Sequence, residues 1–142
     1  MSEAWVVDSS VGFAWVHPHQ ATPEKEKLLE EVEAGALVVI PALWFVEMAN
    51  SLLVLRRRKR LTKEDRKAAL ETLASLQFTV DEEAARAAFQ KTSELAKEHG
   101  LTIYDATYLE VALRRKLCLA SRDKALISAA KKCGVKTLQE QV

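Results

Sequence analysis

Three short, fully apolar runs set what this chain can fold into: WVV at residues 5–7, LVVI at 37–40 and LCLA at 117–120. Such runs read as strands buried on both faces, the environment of a parallel sheet with helices above and below it. A fourth run, QFTV at 77–80, fits a strand of the same sheet. Helical segments lie between these runs. Asp8, Ser9 or Ser10 can cap a helix over 11–16, and Pro23 opens a charged amphipathic helix over 23–33 that Gly35 ends. Pro41 precedes a long apolar helix over 42–55, and Thr62 caps the next helix. A helix over 82–98 turns Ala85, Ala88, Phe89, Leu95 and Ala96 to the core and ends at Gly100. Thr102 caps a helix over 103–115, another covers 123–133 up to Gly134, and residues 135–138 make a last edge strand. The alternation predicts an α/β fold with a mostly parallel sheet of four to five strands, covered on both faces. In such sheets a site lies beyond the carboxyl ends of the strands, near the point where strand order reverses.

A chain of 142 residues with no repeat and no linker makes one domain, 1–142. That length buries roughly two-thirds of the surface its unfolded chain exposes, so folding needs neither a metal nor a disulfide. The formal net charge of +1 does not call for a polyanionic partner, and any nucleic-acid surface must be a local patch. No apolar run approaches the ~18 residues of a membrane span. The opening MSEAWVVD lacks the basic and apolar regions of a signal peptide, so a cytoplasmic protein is expected. Cys118 and Cys133 show no metal-ligand spacing and read as reduced, structural thiols.

The acids carry more information. Of the 20 acidic residues only five are aspartates. Asp8 and Asp123 follow the apolar runs 5–7 and 117–120, and Asp105 lies in the first turn of a helix. Each has a structural reading: Asp8 and Asp123 as helix caps, Asp105 in a capping box with Thr102. Glu47 is the only charged residue between Pro41 and Arg56, on a helix that is apolar on nearly every side. It shares a face with Leu43, Asn50, Ser51 and Val54. A carboxylate there requires an arginine, water or a metal. Carboxylates brought together repel one another, and a hard divalent cation such as Mg²⁺ relieves them. No Ser-His-Asp or Cys-His arrangement competes. His17 and His19 flank Pro18 in an expected loop, and His99 sits at a helix end.

Five basic residues, Arg56, Arg57, Arg58, Lys59 and Arg60, come directly after the apolar helix. They read either as a helix end whose cations complement the dipole or as a patch for substrate phosphates. The helix before them carries more large apolar side chains than one core stripe uses, and Trp44, Phe45, Met48, Leu52 and Leu55 are expected to include an interface.

Four motifs in this order resemble the PIN-domain family, and within it the VapC-type toxins of toxin–antitoxin systems. They are VVDSS at 6–10, IPALWFVEMANSL at 40–52, LTIYDATYLEVAL at 101–113 and LASRDKALISAA at 119–130. The resemblance implies a three-layer α/β/α sandwich and Mg²⁺- or Mn²⁺-dependent hydrolysis of RNA phosphodiester bonds. It places Asp8, Glu47, Asp105 and Asp123 in one acidic, metal-holding cluster, with Ser10, Asn50 and Ser121 as supporting polar groups. Ser121 stands where many members carry Thr, so a hydroxyl is retained. Asp123 is the peripheral member, of a kind that often acts through water. The resemblance also implies a homodimer and a small antitoxin partner. The competing readings are a non-catalytic PIN-like module that binds RNA or protein, and a phosphatase or nucleotide-binding module. The chain has no GxGxxG or GxxxxGK[ST] loop, which disfavours the last.

Overall fold

A computed structural model of the chain describes residues 4–17 and 22–138. The expected loop around Pro18 and His19 lies outside them. The elements run β1 (Trp5–Val7), α1 (Ser9–Val16), α2 (Pro23–Glu33), β2 (Val38–Pro41), α3 (Leu43–Arg57), α4 (Lys63–Ser75), β3 (Thr79–Asp81), α5 (Ala84–Ala87), a π-helical turn (Ala88–Thr92), α6 (Ser93–His99), α7 (Ile103–Arg115), β4 (Cys118–Ala120) and α8 (Lys124–Lys132). The strands form one parallel sheet in the order β3-β2-β1-β4, with Val6 opposite Val39 and Leu119. The expected fifth strand shrinks to a single parallel bridge between Leu119 and Thr137.

All three residues of β1 and all four of β2 are buried, as strands covered on both faces must be. From β1 the chain steps outward to β2 and β3, then crosses back to lay β4 on the other side of β1. Strand order therefore reverses between β1 and β4, which opens a crevice at their carboxyl ends. Asp8 leaves β1 there, and Ser121 to Asp123 leave β4 there.

Helix α3 holds Trp44, Met48 and Leu52 at four-residue spacing in the core, so these three serve packing rather than the interface expected of them. Phe45 and Val46 point outward. Trp44 also ties α3 to the crevice: its indole Nε1 donates to the Asp8 carbonyl at 3.3 Å. Gly12 of α1 permits that approach, because a Cβ there would stand 2.6 Å from Trp44 Cζ2.

The helix expected over 82–98 is interrupted. The π-helical turn takes more residues per turn than an α-helix and so rotates the residues beyond it. Ala84, Thr92, Leu95 and Ala96 are buried, while Ala85 is exposed and Phe89 is 94% exposed, contrary to the 3.6-residue pattern. The Ser93 hydroxyl donates to the Ala88 carbonyl inside this turn.

A candidate acidic active site

Asp8 is 3% exposed and held from several directions. Its Oδ1 accepts the Val11 N–H at 3.1 Å, which caps α1, and the Ser10 hydroxyl at 2.6 Å. Its Oδ2 accepts the Ser121 hydroxyl at 2.5 Å. Ser121 Oγ in turn accepts the Asp123 N–H at 3.0 Å, and Ser10 Oγ accepts the Arg122 N–H at 2.9 Å. The two hydroxyls thus lace the end of β1 to the end of β4. Burial pushes the Asp8 carboxyl up to about 6, against those hydrogen bonds, and the Asp105 charge adds to the rise.

Asp105 sits in the first turn of α7, half-buried. Its backbone N–H donates to the capping Thr102 hydroxyl at 3.1 Å. Its carboxyl is also raised, first by burial and then by the charges of Asp123 and Glu47. Asp105 therefore interacts electrostatically with each of the other three acids, Asp8 included. Glu47 is partly buried, and its Oε1 accepts the Tyr108 hydroxyl at 2.5 Å. Asp123 caps α8 through Leu126 N–H at 2.8 Å and is exposed at the rim. Among the described residues, no three carboxylate, imidazole or thiol groups stand at the spacing of a ready-made metal site. The donors are all hard oxygens whose charges act on one another, and that chemistry fits Mg²⁺ or Mn²⁺.

Asn50 is exposed on α3 one turn beyond Glu47, and Arg56 to Arg60 are all exposed at the end of that helix. His17 caps the end of α1 and His99 lies 3.4 Å from the Cys133 sulfur, both outside the acidic cluster.

Sequence reasoning missed Tyr108. It is 1% exposed, and burial together with the Glu47 carboxylate raises its hydroxyl pKa, so it remains a hydrogen-bond donor at neutral pH. Its position three residues after Asp105, on the face of α7 turned to the sheet, was the available signal.

Another aspartate shows that an acid after a strand is not sufficient for a site. Asp81 ends β3 and is 3% exposed. Burial pushes its pKa up, but hydrogen bonds and charge from Arg114 (2.7 and 3.0 Å) and Arg115 overcome this and hold it at about 2. Glu110 accepts from the same Arg114 at 2.7 Å. This is a structural clamp between β3 and α7. Asp81→Asn is expected to lower stability by roughly 2 kcal/mol, because Arg115 loses its carboxylate and Arg114 keeps only Glu110. A folded pKa below the unfolded one gives stability that is present above pH ~4 and lost as pH falls towards 2. A thermal melt series of both proteins across that range reads the effect.

Comparison with known proteins agrees with this architecture. The PIN-domain family model matches residues 5–132. A search of the curated proteins matches none. Among solved structures, PAE2754 from Pyrobaculum aerophilum is 26% identical with a TM-score of 0.69, over 96% of this chain and 84% of that one. FitAcB from Neisseria gonorrhoeae is 20% identical with a TM-score of 0.64, over 95% and 96%. VapBC2 from Rickettsia felis, bound to a DNA fragment from its promoter, is 14% identical with a TM-score of 0.66, over 97% and 99%. The chain belongs to the PIN-domain family, the nuclease family its sequence resembles. Among the described residues, no helix is long and apolar enough to cross a membrane.

Proposed function

We propose that this protein is a Mg²⁺- or Mn²⁺-dependent endoribonuclease and the toxin of a toxin–antitoxin pair. The observation that carries the reading is Asp105 placed among the charges of Asp8, Glu47 and Asp123, at the strand-order reversal of a PIN fold. Asp8, Glu47 and Asp105 would hold the cation, with Asp123 at the rim. A bound cation supplies a water of lowered pKa and stabilises charge on the phosphate and leaving oxygen. The protein's part is positional. Ser10 and Ser121 fix both oxygens of Asp8, and Tyr108 fixes one oxygen of Glu47. The partner reading draws on solved toxin–antitoxin relatives, such as the complex from Klebsiella pneumoniae. Exposed Phe45 and Val46 suit contacts in a homodimer or with an antitoxin. A non-catalytic module could use the same apolar and basic surfaces, but it gives no reason to gather four carboxylates. Incubation with mixed RNA and Mn²⁺, with and without EDTA, tests the reading. Cleavage that EDTA stops is expected, and cleavage that survives EDTA removes the metal.

The exposed Arg56, Arg57 and Arg58 are taken as phosphate contacts. Replacing all three by Ser weakens RNA binding and lowers its salt dependence, by about 0.7 in log–log slope per lost contact on a single strand. An unchanged slope, measured by titration at several salt concentrations, assigns the run to another surface role.

A further inference from the structure

A groove of about 380 Å³ runs between α1 and α3, lined by Ser9, Ser10, Phe13, Asn50, Ser51, Val54 and Leu55. Both walls start at the acids. Ser10 donates to Asp8, and Asn50 lies one helical turn after Glu47. Both walls then change character in step. On α1, Ser9 gives way four residues on to Phe13, whose ring stacks on His17 at 5.2 Å. On α3, Asn50 and Ser51 give way to Val54 and Leu55, and then to the exposed cations from Arg56. The order along the groove is acids, then hydroxyls and an amide, then an aromatic and aliphatic patch, then positive charge.

Resting on the ribonuclease reading above, we propose that this groove holds one nucleoside of a single-stranded RNA beside the bond that is cut. The ribose lies against Ser9, Asn50 and Ser51, and the base lies against Phe13 and Val54. The next phosphates then meet the basic run. The volume sits at the small end of the ~300–1,000 Å³ of small-molecule sites, enough for one nucleoside. Charge complementarity selects the occupant, since the cation-holding acids at one end and the arginines at the other both seek phosphate. A peptide helix laying its apolar face here would desolvate Asn50 and Ser51 without bonding them, whereas a nucleoside carries donors and acceptors of its own.

The test is the affinity of a short fluorescein-labelled oligouridine, read by anisotropy in EDTA so that nothing is cleaved. Val54→Trp fills the groove, and Ser51→Leu removes a polar contact at a half-exposed position. Each is expected to raise Kd on the order of tenfold, the weight of one stacked base. An unlabelled duplex should compete at least about tenfold less well than the single strand. If Val54→Trp does not fold, Ser51→Leu carries the test alone. Affinities within about twofold of wild type, or a duplex that competes equally, overturn the proposal. Groove variants that lose a co-expressed protein partner but keep oligouridine binding overturn it as well, and give the groove to that partner. EDTA-sensitive cleavage of mixed RNA by wild type in Mn²⁺ reads the acids. Its absence beside groove-dependent binding defeats the nuclease reading but supports the groove. Its presence beside groove-independent binding defeats the groove only.

Discussion

Asp105→Asn is expected to abolish RNA cleavage, with a loss on the order of a thousandfold, or about 4 kcal/mol of transition-state stabilisation. The amide keeps the shape of the side chain and removes the charge that interacts with the other three acids. The helix cap survives, because the Thr102 hydroxyl accepts the backbone N–H of residue 105, which the substitution leaves in place. The folded protein should therefore melt no lower than wild type at pH 7 in EDTA. The sign comes from the raised Asp105 carboxyl: burial and neighbouring acids oppose its charge more than its hydrogen bond with Thr102 favours it. A dipole-dominated aspartate would give the opposite result, a variant that is both inactive and less stable. Initial cleavage rates in Mn²⁺ and a melt in EDTA check both halves.

Asp8→Asn should stabilise the metal-free protein at neutral pH by up to roughly 3 kcal/mol, about 10 °C in Tm for a chain of this size. The Asp8 carboxyl is raised from 3.8 to about 6, so the folded state binds its proton more tightly than the unfolded state does. For an acid raised in this way, stability is greatest below pH ~4 and falls as pH rises through 4 to 6. The variant lacks that fall, and asparagine still caps α1 and can donate to Ser121 Oγ. Melts of both proteins in EDTA at pH 4 and pH 7.5 should coincide at the lower pH and separate at the higher, with the variant above. A variant that melts lower at pH 7.5 would mean that the three hydrogen bonds to Asp8 outweigh its burial. Mn²⁺ should raise the wild-type Tm by binding only the folded state, and raise that of the variant far less.

The layout of the site was legible because burial on both faces leaves a plain signature. The runs 5–7, 37–40 and 117–120 carry no charged side chain, so they read as strands covered on both faces, and Asp8 and Asp123 after the first and last of them had to emerge at one edge. Helix α2 was readable to the residue, since Pro23 and Thr22 define its start locally. The features hidden from a sequence reading depend on contacts distant in the chain. Asp81 ends its strand much as Asp8 leaves β1, and only Arg114 and Arg115, 33 and 34 residues away, make it a clamp. Phe89 fits a core stripe by spacing, yet it faces solvent, because the buried face runs from Ala84 to Thr92, Leu95 and Ala96 across the π-helical turn. Trp44 reads as surplus apolar surface on α3, but its indole lies beneath Asp8, over a glycine 32 residues earlier. Tyr108 belongs with these: its bond to Glu47 spans 61 residues.

The central claim is that Asp8, Glu47, Asp105 and Asp123 make one divalent-cation site. Titration of Mn²⁺ into the protein, with the free ion monitored by electron paramagnetic resonance, tests it without any substrate. The account predicts saturable binding to wild type, weakened at least about tenfold in Asp105→Asn and diminished as pH falls below 6 and Asp8 takes up its proton. Binding that is equal in the two proteins, or a free Mn²⁺ signal that wild type leaves unchanged, would contradict it.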